Sequence, residues 1–249
     1  MGAGKMSLML VTRPEPDAQS TIQRLEALGI AAAAGSLMSL DVLETSLPPA
    51  DGFAAMALTS TNALRALAER DALADYHNLP VYAVGPRTAF AARELGFQQV
   101  TDTGGTFEEL VNVLSRTPLG GPVFYPAGRH LSGDMAKALA PFGIMVVLAR
   151  VYDMVPVEAL PDATAAGLRD GSIGAVLLYS RRTAELFVAA MAERLDRERR
   201  SALAMLCLSE AVAEPLIEAH FTRISLADRP DEDAMMTLAL AFAREQNGS

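Results

Sequence analysis

The chain predicts an α/β fold: two similar parallel-sheet α/β domains, one inserted in the other and joined by a two-stranded antiparallel linker. Three observations carry that expectation. Short apolar runs ending in hydroxyl or glycine turns alternate with amphipathic stretches, the pattern of strands and helices that covers a parallel sheet on both faces. One half of the chain echoes the other: residues 57–64 (ALTSTNAL) resemble 177–184 (LLYSRRTA), and 84–89 (VGPRTA) resemble 208–213 (LSEAVA), with Phe97 and Phe221 at the same offset beyond. The third echo is displaced. Phe124-Tyr125-Pro126-Ala127-Gly128 closes the first repeat, whereas its counterpart Leu10-Val11-Thr12-Arg13-Pro14 opens the whole chain. One domain inserted into its relative explains that order, and a small molecule can bind where two such domains face each other.

Each element follows from local pattern. Leu8 to Val11 reads as a strand, Ala18 to Leu28 as a helix with Ile22, Leu25 and Leu28 at helical spacing, and Gly29 ends it. Ile30 to Ala34 is the next strand. Residues 36–43 and 147–155 are expected as linker strands, residues 44–146 as the inserted domain, and residues 1–35 with 156–249 as the discontinuous one. Inside the insert, Gly52 to Leu58, Val81 to Val84 and Pro122 to Tyr125 read as strands; Asn62 to Ala68, Thr88 to Leu95 and Leu131 to Ala140 read as the helices after them. Phe107 to Leu114 is a shorter helix, with Thr106 as its N-cap. Ala175 to Tyr179, Ala202 to Leu208 and Ile224 to Leu226 supply strands to the first domain, and Asp231 to Arg244 is the closing helix. The charge-rich run 194–200 reads as a solvated helix end and loop.

Composition narrows the function classes. At 249 residues, 51% hydrophobic and 20% charged, the chain suits two compact soluble cores. Its formal net charge of −9 argues against nucleic acid, though a few focused arginines can still hold an anionic ligand. No apolar run reaches bilayer length, and Met1-Gly2-Ala3-Gly4-Lys5 lacks the apolar core of a secretory signal, so the expected location is cytoplasmic. Those residues also lack the preceding strand and the spacing of a phosphate loop. Cys207 is the single cysteine, expected as a buried inert thiol, and His77, His130 and His220 are scattered, so no metal site is expected.

Ligands of parallel sheets collect at the carboxyl ends of strands, where helix N-termini present free N–H groups. The strand-to-helix turns here are small, hydroxyl-rich or glycine-containing: Thr12-Arg13-Pro14, Thr59-Ser60-Thr61-Asn62, Gly85-Pro86-Arg87-Thr88, Ala127-Gly128-Arg129-His130, Ser180-Arg181-Arg182-Thr183 and Ser209-Glu210. Such turns suit carboxylates or phosphates. At any one of them, plain helix capping accounts for the hydroxyl equally well; six together favour an anionic ligand. The first strand lacks dinucleotide glycines, and Ser180 lacks a nucleophile elbow.

Leu10-Val11-Thr12-Arg13-Pro14, Thr59-Ser60-Thr61-Asn62-Ala63, residues 82–89 (YAVGPRTA), Val151-Tyr152 and residues 207–213 (CLSEAVA), in this order, resemble uroporphyrinogen-III synthase. The resemblance implies two α/β domains on a two-stranded linker, and a reaction in which hydroxymethylbilane loses water and closes to uroporphyrinogen III with inversion of its last pyrrole ring. It implies no cofactor, a monomer, and room for transient contact with the preceding pathway enzyme. By the same resemblance, Tyr152 is the candidate to assist departure of the hydroxyl, with hinge packing as its alternative role. Arg13, Ser60, Thr61, Asn62, Gly85, Arg87, Thr88, Arg129, Ser180, Arg181 and Ser209 are the candidate substrate contacts. Thr88 matches a family threonine, and its repeat equivalent is Val212, where many relatives have threonine. A non-catalytic tetrapyrrole- or polyanion-binding paralogue and a nucleotide-dependent transferase are the competing readings.

Overall fold

The computed structural model describes residues 7–247, so the lead Met1-Gly2-Ala3-Gly4-Lys5 lies outside it. The chain forms two compact units: one runs to Ser39 and resumes at Val155, the other is Leu40–Met154. The chain opens with β1 (Leu8–Val11), α1 (Asp17–Ala27), β2 (Ala32–Ala34) and β3 (Met38–Val42). The second unit continues through β4 (Ala55–Leu58), α2 (Thr61–Glu69), α3 (Leu73–Tyr76), β5 (Val81–Ala83), α4 (Gly85–Glu94), β6 (Val100–Asp102) and α5 (Phe107–Arg116). It closes with β7 (Val123–Gly128), α6 (Met135–Leu139) and β8 (Val146–Pro156). The first unit resumes as α7 (Asp162–Asp170), β9 (Ile173–Leu178), α8 (Arg181–Met191), α9 (Arg197–Ala202) and β10 (Ala204–Cys207). Then follow α10 (Glu210–Glu218), β11 (Ile224–Leu226) and α11 (Glu232–Asn247).

The first unit holds a five-stranded sheet in the order β2-β1-β9-β10-β11, with every neighbouring pair parallel. The second holds β3-β8-β7-β4-β5-β6, parallel from β8 to β6. Without the edge strand β3, the two orders have the same crossover pattern: three consecutive strands run outward from one side of a switch point, and two lie on the other. The switch points fall between β1 and β9 and between β4 and β7. The displaced echo of the sequence is this shared winding, with β1 and β2 of the first unit entered at the start of the chain.

Burial on both faces explains why the strands read as continuous apolar runs. Successive residues of β1 and β9 face opposite ways. Leu10, Val176 and Leu178 pack with Phe187, Leu216 and Phe221, while Met9, Val11, Ala175 and Leu177 pack with Ile22, Leu25, Met235 and Phe242. The second unit repeats the arrangement, with Met56, Leu58 and Phe124 beside Tyr76 on one face and Ala57, Val123 and Tyr125 beside Leu110 and Leu114 on the other. Tyr76 stacks on Phe124 at 4.8 Å between ring centroids. Leu177 is fully buried on a central strand, so Leu177→Ala should cost about 3 kcal/mol. Equilibrium urea unfolding checks this, and an unchanged midpoint would contradict the packing.

The structure adds detail at one expected strand and departs from expectation in three places. Val146–Pro156 forms one long strand that lies beside β3, and its first part, Val146 to Tyr152, also pairs in parallel with Val123 to Gly128. The helix expected from Leu131 starts at Met135, because the Ser132-Gly133 turn precedes its cap and Asp134 accepts the Lys137 N–H at 2.9 Å. Residues 162–170 form α7, an element the sequence reading lacks; Gly167 and the short apolar pattern hide it. The charge-rich run contains α9, capped by Asp196, and is not simply solvated. Its Arg199 guanidinium donates to the carbonyls of Leu168 and Ile173 at 2.7 and 2.5 Å, which makes it a staple between segments.

Candidate active site

In open parallel sheets the crevice for ligands lies outside the carboxyl ends of the strands, at the switch point. In the second unit this point gathers Thr59 and Ser60 from the end of β4, Gly128 and Arg129 from the end of β7, and Tyr152 from β8. Ser60 is the N-cap of α2 and accepts the Asn62 N–H at 3.1 Å. Asn62 is itself engaged, its amide donating to Met154 Sδ at 3.3 Å and its oxygen accepting from Arg65 at 2.7 Å. Thr61 is the half-buried first residue of the same helix.

Tyr152 is 9% exposed, and burial holds its phenol above the ordinary tyrosine range, opposed by a hydrogen bond with the Ser60 hydroxyl. Tyr125, from the cluster on the other face, has its hydroxyl 3.2 Å from Thr59 Oγ1. Burial raises that phenol too, the Thr59 bond lowers it, and the neighbouring Tyr152 raises it further. Both groups therefore stay protonated donors at neutral pH. On the rim, Arg129 Nε sits 2.8 Å from Asp153 Oδ2. The other carboxylate oxygen of Asp153 is buried without a hydrogen bond, 4.0 Å from His130 Nε2.

One strand along, α4 begins at Gly85, whose φ of +80° suits glycine and whose N–H donates to the Gly104 carbonyl at 2.6 Å. No side chain caps this helix, since Val84 is the N-cap residue and Pro86 follows. Its positive end is thus left to other acceptors. Thr88 is 6% exposed in this first turn, and Arg87 is exposed beside it.

The first unit treats its switch point differently. Thr12 Oγ1 donates to the Leu177 carbonyl at 2.6 Å and ties β1 to β9. The Arg13 guanidinium pairs with Glu232, bonds Thr21 at 3.2 Å and Asp17 at 3.3 Å, and lies 4.6 Å over the Tyr179 ring. Tyr179 in turn donates to Glu232 at 3.4 Å. Burial, then the Glu232 charge, pushes its phenol far up. Arg13 is therefore spent on the protein's own carboxylates. Ser180 caps α8, accepting the Thr183 N–H at 3.1 Å, and Arg181 pairs with Glu185 at 3.0 Å and with Glu214. Those pairs hold the Arg181 guanidinium above its usual range, led by the hydrogen bond to Glu185. Ser209 precedes α10 without capping it, and Val212 is buried in that first turn. The uncapped α4 and α10 thus occupy equivalent places in the two sheets.

The structure brings Ser60, Arg129 and Tyr152 to one switch point and Arg13 and Ser180 to the other, with Gly85, Arg87 and Thr88 one strand along from the first and Ser209 one along from the second. Tyr125, Asp153, Tyr179 and Glu232 were not foreseen. Tyr125 reads as core in an apolar run, and Glu232 lies 219 residues from Arg13. Among the described residues, no group of three His, Cys, Asp or Glu side chains could hold a metal ion, and no helix is long and apolar enough to cross a membrane. Cys207 is buried in β10, its thiol pushed up to about 12 by burial.

Comparison with known proteins gives one family and one fold. The family model for uroporphyrinogen-III synthase HemD matches residues 19–237. The crystal structure of uroporphyrinogen-III synthetase from Helicobacter pylori is similar with a TM-score of 0.66 at 19% identity, covering 95% of this chain and 100% of that one. A mutant uroporphyrinogen III synthase from Thermus thermophilus is similar with a TM-score of 0.52 at 19% identity, covering 96% and 99%. No curated protein sequence matches significantly.

Proposed function

Because the chain belongs to the uroporphyrinogen-III synthase family, we propose that its switch-point residues carry out the family's reaction. The enzyme is a cyclising lyase that converts hydroxymethylbilane to uroporphyrinogen III, with loss of water and inversion of ring D. The substrate carries eight carboxylates and a leaving hydroxyl, so the protein must hold anions, fold a flexible chain so that its ends meet, and ease one C–O bond apart. Tyr152 serves the last demand. Its phenol gives its proton to the departing hydroxyl as the C–O bond breaks and water leaves; the pyrrole N–H proton then goes to the phenolate, which restores the phenol and leaves the azafulvene as the electrophile for ring closure. The observation that carries this reading is the Tyr152 phenol at the carboxyl end of the sheet, 9% exposed and lying against Gly128.

The carboxylates fall to the helix starts. The first turns of α4 and α10, which no side chain caps, offer their positive ends to anions. Thr88 adds a hydroxyl at one of them, and Arg87 adds charge. Arg129 stands at the rim with Asp153 as its resting partner, which a substrate carboxylate displaces. Ser60, Thr61, Asn62, Ser180 and Arg181 shape the turns, Ser60 and Ser180 chiefly as caps. Arg13 fits a structural role better than a ligand role.

Freshly made hydroxymethylbilane with isomer-resolved product analysis tests the function. The type III isomer is expected; the spontaneous type I isomer alone would refute it, and tight type III binding without rate enhancement would favour the non-catalytic paralogue. Thr88→Val, which keeps the shape and deletes the hydroxyl, should raise KM about fivefold, the worth of one hydrogen bond of about 1 kcal/mol. An unchanged KM would remove Thr88 from the binding set.

A further inference from the structure

Tyr152 fits where it does because residue 128 has no side chain. β7 and β8 pair in parallel up to Ala127 and Arg150, after which a register shift sets Gly128 opposite Tyr152. Such an irregularity adds a residue to one strand and re-aims the side chain that follows. Here it lays the tyrosine ring against the α-carbon of Gly128. A Cβ at that position would sit 2.8 Å from Tyr152 Cε2 and Cζ and 3.0 Å from the phenol oxygen. Carbon atoms pack at about 3.5–4.0 Å, so the atoms displaced would be those at the reacting end of the ring.

Backbone conformation does not explain the glycine, because Gly128 is not among the residues with positive φ. Space alone requires it. The ring is confined elsewhere by the core cluster containing Val151 and Phe124, while the hydroxyl meets Ser60. The first unit has no such seat. Its repeat counterpart of Gly128 is Pro14, beside an Arg13 already closed by Glu232.

We propose that Gly128 is a positioning residue for the dehydration step: it is the seat on which the Tyr152 ring rests, and it fixes the phenol oxygen at the carboxyl end of the second unit's sheet. The inference rests on the chemical role given to Tyr152 above.

Gly128→Ala, Tyr152→Phe and the double variant test it. Gly128→Ala should lower kcat by about tenfold or more with KM within about twofold, since a misplacement on the order of 1 Å is costly to chemistry and not to carboxylate binding. In the Tyr152→Phe background the same change should alter kcat by less than about twofold, because the group it displaces is gone. If Tyr152→Phe is impaired and Gly128→Ala lowers kcat equally in both backgrounds, the seat is overturned alone. If Tyr152→Phe turns over at the unmutated rate, the chemical role of the phenol falls, and with it any residue positioning it. Should Gly128→Ala fail to fold, Tyr152→Ala is added to remove the ring: recovery of folding supports the seat, and failure to recover overturns it.

Discussion

Tyr152→Phe is expected to slow turnover by about a hundredfold while leaving the melting temperature and product affinity close to unmutated values. The magnitude is that of removing a positioned proton donor from a reaction whose barrier is departure of a hydroxyl. Phenylalanine keeps the ring on Gly128 and in its core cluster, so little packing is lost; only the hydroxyl and its bond with Ser60 disappear. Parallel loss of activity and folding stability would instead make Tyr152 a packing residue. The pH profile adds an independent check. The donor is the neutral phenol, and burial moves its ionisation above the ordinary value of 10.0, so Tyr152 reaches half-deprotonation only above that pH. Titration of this group should leave the enzyme more than half of its turnover between neutrality and pH 10, as far as the fold persists. A loss of more than half of kcat within that range that vanishes in Tyr152→Phe would overturn the donor role.

The element order was legible because burial on both faces of a sheet leaves a strong signature: four to six apolar residues, a small or hydroxylated turn, and an amphipathic helix. The helix starts were legible for a related reason. Ser60 and Ser180 are short acceptors placed just before helical stretches, and both cap as such residues do. The limits of local pattern appear at Val147 to Tyr152. An extended apolar stretch looks the same whatever lies beside it, and the sequence does not show that its first part also pairs with β7. The candidate site divides the same way. Tyr152 and Thr88 came from family resemblance, but what surrounds Tyr152 depends on Gly128, Tyr125 and Thr59, which a linear reading sees as a turn glycine, a core aromatic and a capping hydroxyl.

Arginine gives the sharpest case, and it sets the second large expectation. A turn arginine at the end of the first strand reads as an anion ligand, yet the Arg13 side chain is only 13% exposed and faces Glu232, Asp17 and Thr21 within its own unit. Glu232→Ala should therefore destabilise the protein by about 2 kcal/mol, less than for a wholly buried pair because the Glu232 side chain is 26% exposed and Asp17 remains. The loss reflects a charge left without its main partner, together with the freed Tyr179 hydroxyl. Arg13→Ala in the same background should then cost less than it does alone, since the charge that needed pairing is gone, and the two changes should be coupled by about 1 kcal/mol or more in urea unfolding. Strictly additive effects would show that the pair contributes nothing to the fold. The kinetics separate the two roles of the arginine. As an internal strut, Arg13→Ala lowers stability and leaves KM near its unmutated value at a temperature where the protein is folded; as a carboxylate ligand, it raises KM several-fold even there. The first outcome is expected, because a guanidinium surrounded by its own carboxylates has little attraction left for those of a substrate, and the corresponding place in the second unit holds Ala127, free of any such plug.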